Sequence, residues 1–209
     1  MTSTTHTGKA DLRRRLVVIT TLVAGAALLG SSLSVPPGDT LFYPLTFAVA
    51  AVWSVGAALS GPLPLGQLGR RFAAPVLLGL GAAAVFVLGT LVIRDIAPLR
   101  DEANAVLAHA RHGPLLLVVA VALLNGAAEE LFFRGALYAA VGPHAVAIST
   151  VAYGMVTVAT GNWLLVLTAF ALGAALALVR RRSGGVLAPM LMHVAWSAVL
   201  VLALPPLIG

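Results

Sequence analysis

The chain has 209 residues, of which 60% are hydrophobic and only 10% charged, with a mean hydropathy of +1.01. A soluble domain carries about 25% charged residues, so this composition describes a polytopic membrane protein of one domain. The formal net charge of +6 comes from basic residues scattered at the ends of apolar segments; they read as topology signals, and a nucleic-acid partner is excluded.

There are no cysteines, which excludes disulfides, thiolate metal sites and a cysteine nucleophile. One lysine, Lys9, stands against twelve arginines in an Ala, Leu, Val and Gly-rich chain. That bias fits a GC-rich bacterial source.

Residues 1–12 are polar and Thr-rich, and with Arg13, Arg14 and Arg15 they are expected to form a disordered basic tail over 1–15. Leu16 to Val35 is long enough to span and reads as an uncleaved first helix. A second span covers Leu41 to Leu59, so that two N-terminal helices fill residues 16–72. Arg70 and Arg71 mark the next membrane boundary, and the main membrane domain runs over 73–206. Its first span is Ala73 to Ile93. The charged stretch from Arg94 to Gly113 reads as a juxtamembrane helix, with His109 and His112 solvated.

The next span runs from Pro114 to Ala140 and ends at the Gly142-Pro143 turn, where His144 is also expected to be solvated. A short fifth span covers Ala145 to Thr160, and a sixth covers Trp163 to Val179. Arg180-Arg181-Arg182-Ser183-Gly184-Gly185 reads as a basic loop. The last span covers Val186 to Leu204 and stops at Pro205-Pro206. The fold class is all-α, a bundle of about seven spans. Small residues such as Gly79, Gly81 and Gly173 would let these helices approach closely.

Orientation follows the arginines. With the N-terminus in the cytoplasm, the inner segments hold Lys9, Arg13, Arg14, Arg15, Arg70, Arg71, Arg180, Arg181 and Arg182, nine of the thirteen basic residues; the outer ones hold Arg94, Arg100 and Arg111. The cell membrane, with the N-terminus cytoplasmic, is the expected location.

Two of the seven acidic residues, Glu129 and Glu130, lie inside an apolar run. A carboxylate at membrane depth costs a few kcal/mol or more and marks function by default. Arg134 follows Glu130 at i+4, where side chains meet. Adjacent helical residues diverge by about 100°, which suggests a division of labour. Glu130 is held by Arg134, while Glu129 faces a cavity as a general base able to take a proton from water. An idle salt bridge locking two helices would use the same pair.

In the last span His193 and Ser197 share a face at i, i+4 and could hydrogen-bond a developing oxyanion. A buried histidine bonded to a neighbour is the plain alternative. Glu129, Glu130 and His193 could in principle ligate zinc, but the set is poor in nitrogen; no metal and no cofactor is expected.

Glu-Glu-x-x-x-Arg in one membrane helix, followed by a histidine in the final one, resembles the CPBP family of CAAX proteases and bacteriocin-processing enzymes, also called the Abi family. The resemblance covers residues 75 to 204, with Glu129-Glu130-Leu131-Phe132-Phe133-Arg134-Gly135 as first motif and Arg182 to Pro189 leading into His193. It implies an intramembrane endopeptidase acting on a membrane-associated protein or peptide. A first-motif glutamate activates water with help from a histidine in a Phe-x-x-x-His motif, and a final His-x-x-x-Asn motif stabilises the oxyanion.

Two positions depart from this pattern. Tyr153-Gly154-Met155-Val156-Thr157 is the best placement of the second motif, with Thr157 at the histidine position; an offset of three would put Thr160 there. Ser197 stands in place of asparagine. A threonine cannot shuttle a proton near neutral pH, so His193 would take over proton transfer and leave Ser197 or Thr157 to orient water. The rival reading is a non-catalytic relative that binds a membrane partner or peptide, as in bacteriocin self-immunity. A proton-coupled transporter would favour internal repeats or broken helices, and the sequence displays neither.

Overall fold

The computed structural model describes residues 3–67 and 72–208, with side chains from Asp11 onward. The expected boundary at Arg70 and Arg71 lies outside the described residues. The described chain is helical, and six segments are long and apolar enough to cross a membrane: Asp11–Ser34, Phe42–Ser60, Ala73–Ile93, Leu115–Ala140, Trp163–Ser183 and Leu187–Ile208. Large apolar side chains such as Leu77, Val85, Leu88, Val92 and Leu116 point outward, as suits a hydrocarbon solvent.

Helix α1 (Ser3–Ser34) pairs with α2 (Phe42–Ser60), and α3 (Ala73–Ile93) packs on the last helix, α9 (Leu187–Ile208). Helix α4 (Ala97–Arg111) is the short charged connector. Helix α5 (Leu115–Glu129) lies between α2 and α9 and passes into a π-helical segment, Glu130–Leu137, closed by one α-helical turn, α6 (Tyr138–Ala140). Helices α7 (Ala145–Thr157) and α8 (Trp163–Ser183) form the last antiparallel pair.

Helix α7 is 13 residues long, about 20 Å at 1.5 Å per residue, against a hydrocarbon core of about 30 Å. A 3₁₀ turn, Val158–Thr160, extends it. The pair still runs from one end of the bundle to the other. A side chain on Gly30, near the end of α1, would strike the Ala159 carbonyl, and Asn162 Nδ2 donates to the Glu102 carbonyl on α4 at 2.8 Å. Among the described residues six helices are long and apolar enough to cross a membrane, and the expected fifth span, only 13 residues long, is not one of them.

Several expectations need correction. The 1–15 tail was expected to be disordered, but residues from Ser3 onward continue the first helix; Arg14 fastens it by donating to the Ser60 carbonyl at 3.0 Å. Arg180 is no loop residue: α8 continues to Ser183, and Arg180 is buried. His109 is not solvated. It is only 7% exposed, with Nε2 2.9 Å from the Val35 carbonyl and its ring on Phe42 at 4.6 Å. Helix α9 does not stop before Pro205 but continues to Ile208, where Arg111 donates to the Pro205 carbonyl at 3.2 Å. His112 and His144 are exposed.

The core lies around the π-helical segment, whose side chains from Phe132 through Leu137 are all buried. Trp53 of α2 packs on Phe132 and Phe133 at 4.9 and 5.1 Å. A helix surrounded on every side needs no polar stripe. One end of the bundle is fixed by a short extended contact. Val186 and Leu187 donate backbone N–H groups to the Pro64 and Leu65 carbonyls, both at 3.0 Å. Gly66, at φ +78°, and Gly185 pass so closely that a side chain on either would strike the other strand. This contact sets the start of α9 and so the height of His193.

Candidate active site

The polar cluster stands on the central helix. Asn125, one turn before the glutamates, donates from Nδ2 to the Thr46 carbonyl on α2 at 3.1 Å and to the Val121 carbonyl at 3.0 Å. It thereby fixes the rotation of α5 against α2. The helix widens directly after Glu129. π-Helical turns are rare and concentrate at functional sites. Widening disturbs the ordinary carbonyl ladder, and neighbouring helices supply donors: Ser149 donates to the Phe133 carbonyl at 3.0 Å, and Arg180 Nε donates to the Arg134 carbonyl at 2.8 Å. Arg180 also lies over the Tyr138 ring at 4.9 Å.

Glu130 and Arg134 are wholly buried. Arg134 Nη1 donates to Glu130 Oε1 at 3.0 Å, and Nη2 donates to the Gly173 carbonyl on α8 at 2.9 Å. His193 of α9 places Nδ1 2.9 Å from the same Glu130 Oε1. A carboxylate oxygen only accepts, so Nδ1 carries a hydrogen; in the neutral tautomer with that hydrogen, Nε2 is a bare acceptor. Nε2 faces Glu129 Oε2 at 4.0 Å. Glu129 is the less enclosed of the two carboxylates, with 14% of its side chain exposed. Its Oε2 accepts a hydrogen bond from the Tyr153 hydroxyl at 2.6 Å.

Ser197 is buried one turn beyond His193. Both face Gly126, where a side chain would come within 3.4 Å of His193 Cδ2 and 3.5 Å of Ser197 Oγ. That glycine leaves open the space in front of both groups. Thr157 is placed differently: its hydroxyl donates back to the Tyr153 carbonyl at 2.9 Å, and Thr160 donates to the Thr157 carbonyl at 2.7 Å. Neither threonine forms a hydrogen bond with a glutamate. Among the described residues no group of three His, Asp or Glu side chains is arranged to hold a metal.

The sequence pointed to no site role for Tyr153, Ser149 or Gly126, and its reading of Arg180 as a topology arginine and of Gly173 as a packing residue did not connect either to the site. For Tyr153 a signal was present, because it occupies the aromatic position of the second motif and carries a hydroxyl that phenylalanine lacks.

An apolar cavity of about 550 Å³ adjoins the cluster at Trp196 and Ser197 and extends between α3, α4, α5, α8 and α9 toward Thr90, His109 and Ile208. Glu129, Glu130 and His193 are outside its lining, so the cavity meets the polar site only along the Trp196–Ser197 wall.

No curated protein and no solved structure matches the chain. Residues 111–199 match the family described as type II CAAX prenyl endopeptidase Rce1-like, and that segment contains every side chain of the cluster. Over residues 111–199, with its whole polar site inside them, the chain is similar to the type II CAAX prenyl endopeptidase Rce1-like family.

Proposed function

We propose that the protein is a membrane-embedded endopeptidase that cuts a membrane-associated protein or peptide with a water activated by Glu129. The observation that carries this reading is the 4.0 Å gap between Glu129 Oε2 and His193 Nε2. It is too long for a direct hydrogen bond and suits one bridging water. Both flanking atoms are acceptors when His193 is neutral, so such a water donates both its hydrogens and turns a lone pair outward.

Glu129 takes the proton as the water oxygen attacks the scissile carbonyl. Glu130, held by Arg134, orients His193 rather than reacting. Ser197, across the space left by Gly126, is the hydroxyl placed to donate to the developing oxyanion.

The apolar cavity beyond Ser197 suits the lipid chain of a prenylated substrate. His193 stands six residues into α9, about 9 Å from its start at 1.5 Å per residue. The arginine bias makes that end cytoplasmic, which fits a substrate whose cleaved tail enters from the cytoplasm. A second reading, a non-catalytic membrane protein that binds a partner or peptide, is favoured by Thr157 at the histidine position of the second motif.

Purified protein in liposomes, supplied with a prenylated CAAX peptide, separates the two. Release of the C-terminal fragment is expected. Saturable binding with no cleavage would establish the second reading instead.

A further inference from the structure

Tyr153 touches Glu129 directly, yet neither the motifs nor the proposed chemistry gives its hydroxyl work. It lies on α7 one turn before Thr157, where a hydroxyl replaces the bare ring of the second motif. That hydroxyl donates to Glu129 Oε2 at 2.6 Å, the shortest contact either glutamate makes. The ring is fixed on three sides. The Arg134 guanidinium covers it at 4.9 Å. Phe133 meets it edge-on at 4.9 Å. Gly173 lies behind it, where a side chain would come within 3.0 Å of Tyr153 Cδ1 and 3.4 Å of Arg134 Nη2. Thr157, meanwhile, is turned back on the Tyr153 carbonyl.

We infer that Tyr153 is the positioning residue of the base: its hydroxyl performs, from one turn earlier on α7, the orienting contact that a histidine at position 157 cannot make here. The inference rests on the peptidase reading and deepens it. Glu129 sits where the helix begins to widen, and its own backbone does not fix its rotamer. A hydroxyl donating to one lone pair of Oε2 holds the carboxylate still and leaves the other lone pair for water. The Arg134 guanidinium then serves both glutamates, through a salt bridge to Glu130 and through the ring that carries the Glu129 donor. Gly173 completes the device, because a side chain there would crowd Tyr153 and Arg134, which share its face.

The test compares Tyr153→Phe, Glu129→Gln and the double variant in liposomes with the prenylated peptide. Tyr153→Phe keeps the ring against Arg134 and Phe133, so the fold is retained. It is expected to lower kcat by about 10- to 100-fold, the range of a charge-assisted hydrogen bond, with KM within about twofold of wild type. In the Glu129→Gln background the same change is expected to cost nothing further, because the group it positions has already been removed. A kcat unchanged by Tyr153→Phe, or a loss that multiplies onto that of Glu129→Gln, overturns the inference while leaving the peptidase reading standing. An inactive wild-type protein overturns both.

Discussion

The Glu130–Arg134 pair yields the most demanding prediction about stability. Replacing Arg134 by methionine keeps most of the volume and removes three interactions: the 3.0 Å contact to Glu130, the 2.9 Å bond to the Gly173 carbonyl and the guanidinium over Tyr153. Breaking a fully buried ion pair from one side costs about 3–5 kcal/mol, because the partner charge is left uncompensated. A hydrogen bond between membrane helices averages only about 0.6 kcal/mol, so the stranded carboxylate dominates. Arg134→Met is therefore expected to lower the unfolding free energy in detergent micelles by about 3 kcal/mol or more, a large part of a typical 5–15 kcal/mol. Adding Glu130→Gln removes the stranded charge, so the double variant is expected to be more stable than Arg134→Met alone. Denaturant titration of the four proteins checks this. A loss below about 1 kcal/mol for Arg134→Met, or strictly additive losses, would refute the claim that a buried charge pair organises the site.

Three further predictions follow from the surrounding contacts. Arg180→Met removes the donor to the Arg134 carbonyl and leaves that group unpartnered at depth; a loss of about 1–3 kcal/mol is expected by denaturant titration, whereas a neutral result would mean that the widened turn satisfies its own backbone. Gly79→Val drives a branched side chain into the Met192 carbonyl and Ala195 of α9; since His193 follows Met192, cleavage is expected to fall with stability, and Gly81→Val, at a position with nothing within 4 Å, is expected to change neither. Ser197→Ala removes the proposed oxyanion donor and is expected to reduce kcat by about 10²- to 10³-fold; a KM effect alone would assign Ser197 to binding.

Much of the bundle is legible in the sequence because apolar runs between arginine-bearing breaks need only length and composition to be recognised. The i, i+4 spacing of Glu130 and Arg134 is equally plain, and the two side chains still meet in a helix that has widened to a π form. The widening itself is not legible. Phe132 to Leu137, Arg134 included, are buried on every side, so the stretch has no exposed polar face from whose period a change of pitch could be read. The orientation of His193 is hidden for another reason. Spacing places it on a face with Ser197, but only the packing of α9 against α5 decides that Nδ1 goes to Glu130 and Nε2 to Glu129. Arg180 and His109 mislead in the same way. Each stands at the edge of an apolar run where solvent is the usual partner, and each instead turns inward to a backbone carbonyl, of Arg134 and Val35 respectively. Gly173 and Gly126 read only as small residues until it is known which side chains lie opposite them.

The two glutamates differ in burial and partners, and the proposed function depends on that difference. Glu130 is sealed between Arg134 and His193, while Glu129 retains some exposure and faces the acceptor nitrogen of the imidazole. The most direct measurement is the turnover of a prenylated CAAX peptide in liposomes by wild type and by Glu129→Gln, with the unfolding midpoint of both recorded alongside. Glu129→Gln is expected to lower kcat by about 10²- to 10⁴-fold with the unfolding midpoint unchanged. Turnover by Glu129→Gln at the wild-type rate would contradict the proposed function.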